Sequence, residues 1–169
     1  MRKALQQGLT VKSSSDLAQF WEILSTNLRS RYNLLPVHTL QEISMLRDKF
    51  PDAIRLFGCF DAASMLAGVV IYETDRVAHA QYTAANEAGK EKCALDLLFH
   101  VLLSEVYAEK PCFGFGVSTE HGGRYLNRGL MEQKEGFGAR LVAHNHYELD
   151  LIRWSADAMQ ADDHEGSRN

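Results

Sequence analysis

Residues 53–85 read AIRLFGCF, DAAS, MLAGVVIYE, TDR, VAHAQYTAA. Three runs rich in β-branched and aromatic residues alternate with two short polar breaks, which is the pattern of strands joined by tight turns. Breaks this short suit hairpins, so the three strands are expected to be antiparallel neighbours. In the third run, strict alternation places Val77, His79, Gln81 and Thr83 on one face and Ala78, Ala80, Tyr82 and Ala84 on the other. Everything else in the chain is arranged around this block.

Two helices precede it. In residues 13–33, Leu17, Phe20, Trp21, Leu24 and Leu28 recur at helical spacing, with Ser15 or Asp16 as N-cap and Arg29 and Arg31 in the last turn. Pro36 interrupts the chain. Thr39 followed by Glu42 has capping-box spacing and opens a second helix that stops before Pro51. After the strands, Lys90 to Glu109 carries a wide apolar stripe (Leu95, Leu98, Phe99, Leu102, Leu103, Val106) and reads as one long helix ended by Pro111. CFGFGVS, from Cys112, is a short strand. Gly122 and Gly123 open a turn into a helix over 124–135, and residues 139–151 (ARLVAHNHYELDL) read as a final long strand. The order predicts an α/β fold, a mixed sheet with helices on both faces.

The chain has 169 residues, 46% hydrophobic and 24% charged, with a formal net charge of −4. That suits one folded domain and argues against a strongly basic nucleic-acid binder. No run approaches the roughly 20 apolar residues of a membrane span. Three dispersed cysteines without a CxxC pair exclude a disulfide scaffold and point to a reducing, cytoplasmic setting. His144 and His146 share a strand face without a third ligand at suitable spacing, so no metal is expected. The expected organisation is a basic linker-like helix over 1–12, a domain over 13–152 and a polar tail over 153–169.

The element order resembles the GNAT acyltransferase fold, with its usual first strand weak or absent. Residues 113–138, FGFGVSTEHGGRYLNRGLMEQKEGFG, resemble the late motif of the FemAB-like branch, F-D-F-G-x-S followed by a helix ending F-K-x-x-F-G. Phe113, Phe115, Gly116 and Ser118 match its first part, and Lys134, Phe137 and Gly138 its second. The opening RKALQQGL resembles the helix joining the two halves of FemAB-type proteins, so the resemblance is to the second half of a two-domain protein. It implies acyl transfer to an amine, acetyl or aminoacyl, from acyl-CoA or aminoacyl-tRNA. The acceptor would be a small molecule or a peptide amine, such as a cell-envelope precursor. A homodimer, or pairing with a second GNAT-like half, would restore the twin architecture. The alternative is a catalytically inactive module that binds a partner or ligand.

In acyl-CoA users of this fold, the loop after the fourth strand carries Q/R-x-x-G-x-G/A. Here the first position falls on Gly89 and the first glycine on Lys92. Ala94 fits the small-residue position, and Lys90 and Lys92 offer charge to a phosphate. A solvated helix start is the plainer reading. The usual late Tyr, general acid for the thiolate, is replaced by Glu132, whereas Lys134 fits its Lys. Candidate catalytic residues are His79, an imidazole being the side chain suited to base work near neutral pH, Glu120 at the end of the fifth strand, and Tyr82 beside the expected gap. Asn127 and Lys134 are donor-binding candidates. Packing, capping and solvent exposure are the competing explanations of these residues.

Overall fold

The computed structural model describes residues 7–148. Asp16 caps helix α1 (Leu17–Tyr32) by accepting from the Gln19 amide. This helix buries Leu17, Phe20, Trp21, Ile23 and Leu24, and stops where Asn33 turns left-handed at φ 53°. The capping box of α2 (Leu40–Lys49) forms as the sequence predicts, with Thr39 and Glu42 each accepting from the other's backbone.

The three expected strands are β2 (Ile54–Asp61), β3 (Ser64–Glu73) and β4 (Val77–Ala85), joined as antiparallel hairpins. A strand β1 (Thr10–Ser14) pairs antiparallel with β2 at one edge, and β5 (Cys112–Gly114) pairs parallel with β4 at the other. The sheet order is β1-β2-β3-β4-β5. One face packs on α1 and α2 through Phe20, Trp21, Leu24, Ile43, Leu56, Val70 and Tyr82. The other packs on the helix after β4 through Val69, Ile71, Ala78, Ala80, Leu97, Leu98 and Leu102.

Four expectations are corrected. Residues 10–12 lie in β1 and residues 7–8 in a turn, not in a basic helix, while residues 1–6 fall outside the described part. An edge strand that half-buries Val11, with buried Leu9 just before it, leaves a faint apolar pattern, and its form comes from pairing with β2. The long helix is divided into α3 (Glu87–Glu91), α4 (Ala94–Val101) and a π-helical turn (Leu102–Val106). Cys93 turns left-handed between α3 and α4 at φ 55°. Gly89 permits this docking, since a Cβ there would sit 2.3 Å from the Leu66 carbonyl oxygen.

The strict alternation of β4 is broken by a bulge. Val70 pairs with Tyr82 and Ile71 with Ala80, leaving Gln81 as the extra residue. Finally, residues 139–148 contain no strand, and residues 149–151 lie outside the described part. A strand needs a ladder partner, and none of the described strands pairs with this segment. The compact unit ends at Ala139. From Arg140 the chain is a second unit, whose described residues have no regular secondary structure.

The remaining elements are a small hairpin, β6 (Thr119–Glu120) with β7 (Tyr125–Leu126), and helix α5 (Arg128–Gly136).

Candidate active site

The ladder between β4 and β5 covers three pairs, Val77 with Cys112, Ala78 with Phe113 and His79 with Gly114. Beyond them β4 runs on to Ala85 without a further β5 partner. The two strands therefore part at His79. Ladder groups released this way need other partners, so the point of parting is where a ligand can meet backbone.

The FGFG run explains how this point is built. Phe113 and Phe115 turn toward α4 and join Phe99 and Phe137 in a cluster of rings, with centroids 5.0–6.3 Å apart. Gly114 and Gly116 leave the opposite face bare, and the His79 ring lies over them. A Cβ on Gly114 would fall 2.9 Å from His79 Nδ1, and one on Gly116 3.7 Å from Cε1. Gly114 stands where the resembling motif has Asp, and its lack of a side chain is what admits the imidazole. The half-buried ring makes no hydrogen bond among the described residues.

The bulge at Gln81 changes which residues meet. His79 lies opposite Tyr72 in the ladder and Tyr82 opposite Val70, and both partners belong to the α1 face. His79 and Tyr82, placed on opposite faces by alternation, therefore share one. Tyr82 packs edge-on against Trp21, and its hydroxyl lies 2.5 Å from His38 Nδ1 in a shared hydrogen bond. Burial is the main cause that raises the Tyr82 pKa, so the phenol keeps its proton. The His38 carbonyl accepts from Trp21 Nε1, which holds the α1–α2 connection down at this point. Sequence reasoning missed His38, because its partner is 44 residues away.

The other candidates form a second group. Asn127 caps α5 by accepting from the Leu130 amide and donates to Glu120 Oε1 at 2.7 Å. Glu120 is thus joined to Asn127, not to His79. Lys134 donates to the carbonyls of Gly116 at 3.1 Å and Val117 at 2.6 Å, tying α5 to the loop that leaves β5. Partial burial lowers its pKa. Glu132 is exposed on α5.

In the loop after β4, Lys92 pairs with Asp61 at 2.5 Å, and Lys90 pairs with Glu87. Ala94 is fully buried at the start of α4. A cavity of about 580 Å³ lies between α4 with its π-helical turn and α5, lined by Asp96, His100, Ser104, Gln133 and Phe137. Among the described residues no three His, Cys, Asp or Glu side chains cluster as metal ligands. None of the described helices is long and apolar enough to cross a membrane.

No family model and no curated protein matches the sequence. Solved structures do match in shape. A possible acetyltransferase from Clostridium difficile 630 superposes with a TM-score of 0.64 at 10% identity, over 85% of this chain and 97% of that one. An aminoglycoside acetyltransferase from an uncultured soil metagenomic sample, solved with sisomicin, gives 0.60 at 10% identity over 86% and 99%. A predicted acetyltransferase from Clostridium acetobutylicum, solved with acetyl-CoA, gives 0.56 at 9% identity over 86% and 97%. With its five-stranded mixed sheet and helices on both faces, this chain has the fold of the GNAT acetyltransferases.

Proposed function

We propose that this protein is an N-acyltransferase that moves an acyl group from a CoA thioester to a primary amine. The observation that carries this reading is the parting of β4 and β5 at His79, with an unengaged imidazole seated over two glycines. A thioester carbonyl placed in that gap meets backbone groups of β4, which can hold the oxyanion. The amine nitrogen attacks the carbonyl carbon, the new C–N bond forms, and His79 takes the surplus proton. The C–S bond then breaks. With Glu132 where a Tyr acid would stand, the leaving thiolate takes its proton from water.

The donor fits the room better than the loop. The cavity between α4 and α5 is large enough for part of a CoA chain. The loop after β4 is filled by α3, and its lysines reach a phosphate only by releasing Glu87 and Asp61. Those two ion pairs favour a second reading, a ligand-binding module without turnover. The FemAB-like branch, a cell-envelope acceptor, an aminoacyl-tRNA donor and a paired second half are finer proposals, supported by the motif in residues 113–138. The roles of Glu120, Asn127, Lys90, Lys92 and Ala94 toward a donor are proposals of the same rank.

The test is thermal unfolding with CoA and acetyl-CoA, followed by release of CoA thiol with an amine panel. A ligand that binds only the folded chain raises its midpoint. A rise with thiol release establishes the transferase. A rise without release with any amine favours the module, and no rise at concentrations far above a plausible dissociation constant retires the CoA donor.

A further inference from the structure

We propose that Tyr72 and His79, paired in the ladder of β3 and β4, form the seat of the acceptor amine, and that this amine is carried on an apolar body. The chemistry rests on the transferase reading above; the binding does not.

Tyr72 carries the one side-chain polar atom among the described residues that is shut from solvent with no hydrogen-bond partner, its phenolic oxygen. A buried hydroxyl left this way is a standing cost to the free protein, and it needs a physical account. The neighbouring phenol is not the answer, since Tyr82 shares its hydrogen bond with His38. Directly opposite Tyr72 in the ladder is His79, whose imidazole is also unengaged. Opposed side chains on one face of an antiparallel pair start about 5 Å apart at Cβ. Two unused groups therefore share one face at the point where β4 and β5 part. A primary ammonium suits them: its N–H donates to the Tyr72 oxygen, the aromatic faces attract its charge, and the imidazole is placed to receive a proton.

The surroundings select the rest of the molecule. The segment that carries His38 exposes Leu34, Leu35 and Val37. Exposed apolar side chains next to the residue that meets Tyr82 suit a monoamine with an apolar body over a polycation. Because the Tyr72 oxygen is shut from solvent, a ligand reaches it only when the packing around it gives way locally.

The experiment uses the full chain, with phenethylamine and spermidine as probes, comparing wild type with Tyr72→Phe. Phenethylamine should raise the unfolding midpoint of the wild type more than spermidine does, and Tyr72→Phe should abolish that shift. With acetyl-CoA present, Tyr72→Phe should raise KM for phenethylamine about tenfold, with kcat at saturating amine and KM for acetyl-CoA little changed. Equal shifts in the two proteins, no shift in the wild type, or a larger shift from spermidine overturns the proposal. If acetyl-CoA neither binds nor turns over while the Tyr72-dependent amine shift is present, the transferase reading fails and the seat stands. If turnover proceeds with an unchanged amine KM in Tyr72→Phe, the seat falls and the transferase stands.

Discussion

On the α4 side of the sheet, Phe99, Phe113, Phe115 and Phe137 meet ring to ring around buried Leu97, Leu98 and Leu102. On the α1 side, the same strands carry His79, Tyr72 and Tyr82, with His38 brought in from the α1–α2 connection. The first face is held by shape and apolar burial. The second also buries or half-buries polar groups, and two of those have no partner. A single sheet therefore divides its labour: one side supplies rigidity, and the other accepts the cost of unpaired groups where a ligand can meet them. The FGFG segment shows the division residue by residue, since its phenylalanines serve one side and its glycines the other.

Substitutions can break this contrast. The largest effect on stability is expected from Phe99→Ala. It removes a buried ring that touches Phe113, Phe115 and Phe137, and the cost should be about 3–5 kcal/mol by denaturant unfolding. A loss under 1 kcal/mol would mean that the α4 face is not the rigid one. His79→Ala should lower turnover about a hundredfold or more while leaving the unfolding midpoint close to wild type. A folding defect with unchanged residual turnover would assign the imidazole to packing.

Gly114→Ala links the two faces. Its new Cβ would stand 2.9 Å from His79 Nδ1, so the ring must move, at about 1–3 kcal/mol. Turnover should fall with it, and Gly114→Ala combined with His79→Ala should recover part of the lost stability. Additive losses would show that the glycine serves something other than the imidazole.

The smallest effect concerns the cap of α2. Thr39 holds the Glu42 pKa below its ordinary value of 4.5, chiefly through its backbone N–H. A depressed carboxylate pKa contributes stability that is present above the unfolded value and lost as pH falls through the folded one. Glu42→Gln should therefore lower the midpoint slightly at neutral pH, and the difference from wild type should shrink below about pH 4.5 as the wild-type Glu42 protonates. A difference constant across that range would rule out the Glu42 carboxylate as its source.

Local order was readable wherever a residue's neighbours in sequence are also its neighbours in space. The three strands, their hairpins, the α1 stripe and the Thr39–Glu42 box all belong to this class. So does the short strand that starts at Cys112. What escaped was set by contacts distant along the chain. The strand β1 is defined by its pairing with β2, which begins 40 residues after β1 ends. The left-handed turn at Cys93 follows α3, whose Gly89 is pressed against Leu66. For the candidate site, the sequence supplied His79 and Tyr82 as types of residue, but a two-residue period cannot register an extra residue at Gln81. It put them on opposite sides, and it gave no sign of Tyr72 or His38.

The amino-acid order by itself determined the kinds of element, their succession and the α/β class, because propensity, capping and apolar period act over a few residues. Tertiary structure decided which side chains share a face, which polar groups are left without partners and where two strands separate. Those depend on the register between strands and on helices laid across them, and one bulged residue is enough to change the outcome.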